Sequence, residues 1–172
     1  MNKRLTLLIC AVAISLLSFT LNEKHIRDDF HEAVKSECKL QAIIVAKTYP
    51  NNQVTQAYKG LASCTSAEFA TWPTTKWKLF TEGKARIESA IKAAPSNPEI
   101  RYARLMVQLN APAIVGYSDD IDSDLNIFVQ NLVEYKVSQT WKTSFINNLK
   151  SSDGINAAQI AQLSTLQTNT NK

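Results

Sequence analysis

The chain has 172 residues, of which 45% are hydrophobic and 20% charged, and it contains only four glycines. That is material for one core and excludes a low-complexity or disordered class. The formal charge of +4 is modest, so composition offers no footprint for nucleic acid or another polyanion.

The N-terminus opens Met1-Asn2-Lys3-Arg4 and continues as an apolar run from Leu5 to Phe19. A basic start followed by an apolar stretch is the pattern of a secretory signal peptide. The run is short of the roughly 20 residues that a permanent transmembrane helix needs. Residues 1–20 are therefore expected to be removed after Thr20, which places the mature protein in the periplasm or outside the cell, with no stable membrane span. Loss of Lys3 and Arg4 lowers the formal charge by two. Cys10 lies within the apolar run behind Ile9, a poor residue to precede a lipid-modified cysteine, and leaves with the signal. Cys38 and Cys64 remain. In an oxidising compartment an even count makes a Cys38–Cys64 disulfide a candidate, and two buried free thiols are the alternative.

Beyond the signal, three- and four-residue spacing of apolar side chains dominates and no strand alternation is found. A first helix is expected from Asn22 to about Thr48, carrying Ile26, Phe30, Val34, Leu40, Ile43 and Ile44, with a slip in spacing near Cys38. Pro50-Asn51-Asn52 ends it. A second runs from about Gln53 to Ala62, where Gly60 is expected to weaken it, and a short piece near Ala67 to Ala70 precedes Trp72-Pro73. The third, from Thr74 or Thr75 to Ala94, has Trp77, Phe80, Ile87, Ala90 and Ile91 in its stripe. Asn97 and Pro98 suit the cap and first turn of a fourth helix reaching Asn110. Ser118-Asp119-Asp120 opens a fifth, which extends to about Tyr135 with acids at its positive end. A sixth covers Ser138 to Leu149 and a seventh begins at Asp153, followed by a frayed polar tail at 168–172. The expected fold is all-α: an antiparallel bundle or array of six to seven helices in a single domain, residues 21–167.

Gly83, Ile87, Ala90 and Pro95 follow the second half of a tetratricopeptide pattern, and this hairpin resembles one such repeat; the first half of the pattern and a second copy are missing. The segment Pro98-Glu99-Ile100-Arg101-Tyr102-Ala103-Arg104-Leu105-Met106-Val107-Gln108, with Ala111-Pro112 and Gly116-Tyr117, resembles a family of small exported helical proteins of Bacteroidota. The likeness spans Tyr58 to Asp124. It implies a shared fold and export and brings no activity with it.

The fourth helix carries the clearest site signal. Arg101, Arg104 and Gln108 share a narrow arc of a helix otherwise apolar nearly all round, so the stripe is expected in or near the core. A buried guanidinium must be paired, and Asp124 is the favoured partner among Glu88, Asp119, Asp120, Asp122 and Asp124. Two readings follow: a buried network holding the 111–117 loop, or a grip on a small anionic ligand. Asp120, Asp122 and Asp124 match the first ligand positions of a calcium loop, but Leu125 and Asn131 break the pattern. His25 and His31 point to different faces of a helix, and His31 and Cys38 share a face but lie two turns apart, so they make no metal set. No catalytic or cofactor motif is present. The expected function is accordingly a non-enzymatic binding or structural module that engages a protein or peptide partner in the cell envelope. The alternative is a receptor or enzyme for a small anion centred on Arg101, Arg104 and Gln108.

Overall fold

The computed structural model describes residues 26–170, so the expected signal segment 1–20 lies outside the described residues. These residues form one packed helical body of eight α-helices without strands. Residues 26–33 make α1. The others are α2 (Glu37–Val45), α3 (Gln53–Phe69), α4 (Pro73–Ala93), α5 (Pro98–Asn110), α6 (Ile121–Leu132), α7 (Gln139–Lys150) and α8 (Ala157–Thr170), with a 3-10 turn at Ala113–Val115.

The count exceeds the expected six to seven because the long first helix is two. The slip in apolar spacing near Cys38 marks a real break: Ser36 adopts an extended backbone and its N–H bonds back to Ala33. The chain then restarts at Glu37 and buries Leu40 and Ile43. Conversely, the short piece near Ala67 belongs to α3. The helix continues past Ala62 because its inner face is built of small groups, with Ser63, Cys64 and Ser66 buried and the Ser63 hydroxyl donating to the Leu79 carbonyl at 2.8 Å.

Caps fix several boundaries. Asn52 accepts from the Thr55 N–H, Asn97 from the Glu99 and Ile100 N–H groups, and Ser138 from Trp141. Each satisfies a donor left orphaned at a helix start. α6 starts at Ile121 rather than Ser118 and closes at Leu132. α8 starts four residues later than Asp153, because the Gly154 N–H is drawn to the Leu109 carbonyl at 2.8 Å. Asn156 and Gln159 then exchange side-chain and backbone bonds as a capping box. The residues expected as a tail from Thr168 continue α8 to Thr170.

α3 and α4 form an antiparallel hairpin, with Gln56 opposite Arg86 and Ser63 opposite Leu79. Their closest approach is at two glycines. A Cβ on Gly60 would lie 2.7 Å from the Gly83 carbonyl oxygen, and one on Gly83 would lie 2.5 Å from both the Cys64 sulfur and the Gly60 carbonyl oxygen. Gly60, expected to weaken its helix, is what lets α4 seat against it.

α5 is the central element: all its residues except Met106 and Asn110 are buried. One apolar core gathers α1 to α4 against one side of it, with Ile26, Leu40, Tyr58, Ile87 and Ile100 fully buried. A second gathers α6, α7 and α8 around Tyr102, Leu105 and Leu109. α5 and α7 run in the same direction, with Tyr102 beside Asn148 and Met106 beside Ser152.

Candidate functional site

Two buried charge networks and one open cleft meet on α5. The first network holds the expected stripe. Asp124, fully buried one turn into α6, accepts from Arg101 Nη1 at 2.6 Å and from Arg104 Nε and Nη2 at 2.5 and 2.6 Å. Arg101 also donates to the Pro95 carbonyl through Nε and Nη2. Arg104 also reaches Glu88, at 3.1 Å, and Asp120, at 3.2 Å. The Tyr117 hydroxyl donates to Glu88, so the connection between α5 and α6 is fastened to α4. Burial works against the Arg104 charge, but its bonds to Asp124 and the pull of Glu88 outweigh that and hold the guanidinium more firmly protonated than usual. Tyr117 is pushed well above the ordinary phenol range, first by burial and then by Glu88.

Two of the three stripe residues are thus brought together on Asp124. Gln108, the third, is buried, yet neither its side-chain oxygen nor its nitrogen has a hydrogen-bond partner among the described residues. The aspartates of the supposed calcium loop are drawn apart: Asp120 and Asp124 serve Arg104, while Asp122 accepts from Gln159. No group of metal-ligating side chains forms among the described residues.

The second network is one that sequence reasoning missed. Glu99, in the first turn of α5, is 0% exposed. Arg27 of α1 donates to it through Nε and through Nη2, the latter at 2.8 Å. The hydroxyls of Tyr58 and Tyr135 donate to the same carboxylate at 2.9 and 2.8 Å. Arg27 also stands 5.8 Å from the Trp141 ring centre, within cation–π range. One carboxylate therefore ties together α1, α3, α5 and the segment after α6. The only local signal was a glutamate set between Pro98 and Ile100 at the start of a largely apolar helix; Arg27 reads as solvated because Asp28 and Asp29 follow it.

The cleft has a volume of about 740 Å³ and lies between α1, the end of α3, the start of α4, the second half of α5 and the 111–115 connection. Phe30, Leu61, Phe80, Met106 and Val107 give it an apolar lining. Polar groups along its floor are already engaged: Asn110 bonds the Met106 carbonyl and Ser152, and Asn148 bonds the Tyr102 hydroxyl. His31 forms part of the α1 wall. Its ring lies 4.9 Å from that of Trp141 and 5.5 Å from that of Phe30, and its buried Nε2 has no hydrogen-bond partner. Burial pulls the His31 pKa below its ordinary value, so the ring is neutral there.

Two expectations are corrected here. Cys38 and Cys64 are free thiols, not a disulfide: Cys38 is exposed on α2, whereas Cys64 is buried against Gly83 and donates to the Phe80 carbonyl. Burial pushes the Cys64 thiol up to about 12, the mark of an inert sulfur. Trp77, assigned to the core stripe of its helix, is instead 56% exposed at the rim of the cleft. The helix turns Phe80, Gly83 and Ile87 inward, and Trp77 falls beside that stripe.

Comparison with protein-family models, with curated proteins and with solved structures finds no match.

Proposed function

We propose that the protein is an exported, non-enzymatic binding module whose cleft receives apolar side chains of a protein or peptide partner in the cell envelope. The observation that carries this reading is the cleft itself. Ligand sites are concave, mostly apolar and on the order of 300–1,000 Å³, and this one, at about 740 Å³, is lined by side chains from five helices. Its engaged floor groups favour an apolar guest over a polar one. The arginine stripe supports the anion-receptor alternative less well, because Arg101 and Arg104 direct donors at Asp124 and Pro95 and neither lines the cleft.

The test is a titration with the apolar fluorophore 1-N-phenylnaphthylamine, followed by displacement with an amphipathic leucine–lysine helical peptide. Saturable binding at one site and displacement by the peptide are expected. Thr65→Trp, which fills the cleft from its half-buried α3 wall, should weaken both by about tenfold or more at unchanged helicity. Absence of saturable uptake, or no effect of Thr65→Trp, would rule the cleft out.

A further inference from the structure

Six large apolar side chains are prominently exposed among the described residues, and four of them lie on the turn from α3 to α4, the start of α4 and the 113–115 turn: Phe69, Trp72, Trp77 and Ile114. Phe69 and Trp72 flank the turn from α3 to α4, and Trp77 lies one turn and a half into α4. Ile114 is the tip of the 113–115 turn, and it and Trp77 stand on the same cleft mouth. Ile114 is 93% and Trp72 71% exposed, so these are not core residues with a bare edge. Apolar patches of this kind mark an interaction surface.

The company they keep indicates the partner. Between Phe69 and Phe80 the chain carries Lys76 and Lys78 and no acid, while the exposed Glu68 stands just before this stretch and lines the same cleft. Glu82, one turn beyond, lies 4.0 Å from Lys78, with both side chains in solvent. Tryptophan beside lysine is the pairing suited to a membrane–water boundary: the indole sits at headgroup level, with its N–H wet and its rings in the acyl region. The lysine stem crosses the apolar layer while the ammonium meets lipid phosphate. A protein hot spot also favours tryptophan, but lysine is depleted at such interfaces. No described helix is long and apolar enough to cross a membrane, so the contact is a peripheral one.

We infer that this corner is a docking surface for an anionic lipid bilayer, with Trp72, Trp77 and Ile114 entering the interface and Lys76 and Lys78 facing the headgroups. Docked in this way, the molecule turns the mouth of its cleft toward the lipid. The surface stands on the exposed corner, not on the cleft interior, so it holds or fails independently of what the cleft binds.

The chain from Leu21 onward contains every core contact described above and is the material for the test. It is mixed with vesicles of equal parts phosphatidylglycerol and phosphatidylcholine, and with vesicles of phosphatidylcholine alone. Co-sedimentation with the mixed vesicles is expected, falling with added salt, together with quenching of tryptophan fluorescence by lipids brominated in the upper acyl chain. Each of Lys76→Gln and Lys78→Gln should weaken binding about fivefold. Trp72→Ser with Trp77→Ser should weaken it by more than about tenfold and remove most of the quenching, leaving Trp141 as an internal reference. Circular dichroism checks that the variants fold. Failure of the folded parent to bind mixed vesicles at low salt would overturn the proposal, as would equal binding to phosphatidylcholine alone or undiminished binding by the tryptophan variant. Concentration-dependent dimerisation that buries the same tryptophans without lipid would also overturn it, assigning the corner to a second copy of the chain. Thr65→Trp should leave vesicle binding intact, which separates this surface from the cleft.

Discussion

Arg27 and Glu99 stand 72 positions apart in the chain and form a buried two-pronged ion pair, with the glutamate wholly shielded from water. Around it the tyrosine hydroxyls of Tyr58 and Tyr135 complete the coordination of the carboxylate. Removal of one partner strands the other charge in a site it cannot leave. Glu99→Leu is expected to destabilise by about 3–5 kcal/mol, while pairing it with Arg27→Met recovers a large part of that loss. Urea unfolding of the two single variants and the double variant measures the coupling; simple additivity would show that the pair is not a unit.

Asp124 answers to two arginines. Asp124→Asn leaves Arg101 and Arg104 short of their principal acceptor, and a loss of about 3–5 kcal/mol is expected. Arg101→Ala or Arg104→Ala orphans the carboxylate instead and should cost a similar amount, read as the urea midpoint at constant slope. Near-zero shifts for all three would contradict the buried network.

The α3–α4 hairpin depends on the absence of a side chain at Gly83. Gly83→Ala drives a methyl group into the Cys64 sulfur and the Gly60 carbonyl, and the overpacking should cost about 1–3 kcal/mol or more. Gly116 is the useful contrast. It has φ of +57° and open space where a Cβ would go, so Gly116→Ala should cost only the left-handed backbone term, about 1 kcal/mol. Thermal unfolding should rank Gly83→Ala as the more harmful; the reverse order would mean the two helices can separate without loss.

His31 makes stability depend on pH. Its folded-state pKa lies below the ordinary 6.5, first through burial; Glu99 and Asp28 pull it back up and Arg27 adds to the depression. The undocked ring therefore takes up a proton before the docked one does. Stability from this residue is whole above about pH 6.5 and declines as pH falls through the lowered folded-state value. Midpoints of thermal unfolding should fall more steeply below pH 6.5 in the parent than in His31→Phe. Parallel profiles would show that the imidazole does not titrate on unfolding.

Much of the helical framework was legible because it is written locally. Pro50, Pro98 and the capping asparagines Asn52 and Asn97 mark boundaries through their own backbone chemistry, and the stripe of Arg101 and Arg104 is set by spacing within one helix. What escaped was non-local. Glu99 looks like an ordinary acid at a helix start until Tyr58, Tyr135 and Arg27 close on it. Gly60 looks like a weak point until Gly83 arrives opposite. The cleft has no sequence signature at all, since its lining comes from six separate segments, and Trp77 appears central until α4 is rotated against α3. The break at Ser36 lay between these cases: the slip in spacing was visible, but only packing shows that it separates two helices.

The Arg27–Glu99 pair also sets an order of events in folding. A chain made from its N-terminus has α1 long before α5, and the guanidinium of Arg27 keeps its water until Glu99 is present to replace it. Closure of so long a loop is entropically costly, so α1 is expected to join late, after α3, α4 and α5 have formed a surface to receive it. Phe30, His31 and Val34 arrive with it. The wall that completes the cleft is therefore expected to form only after the surface it docks on.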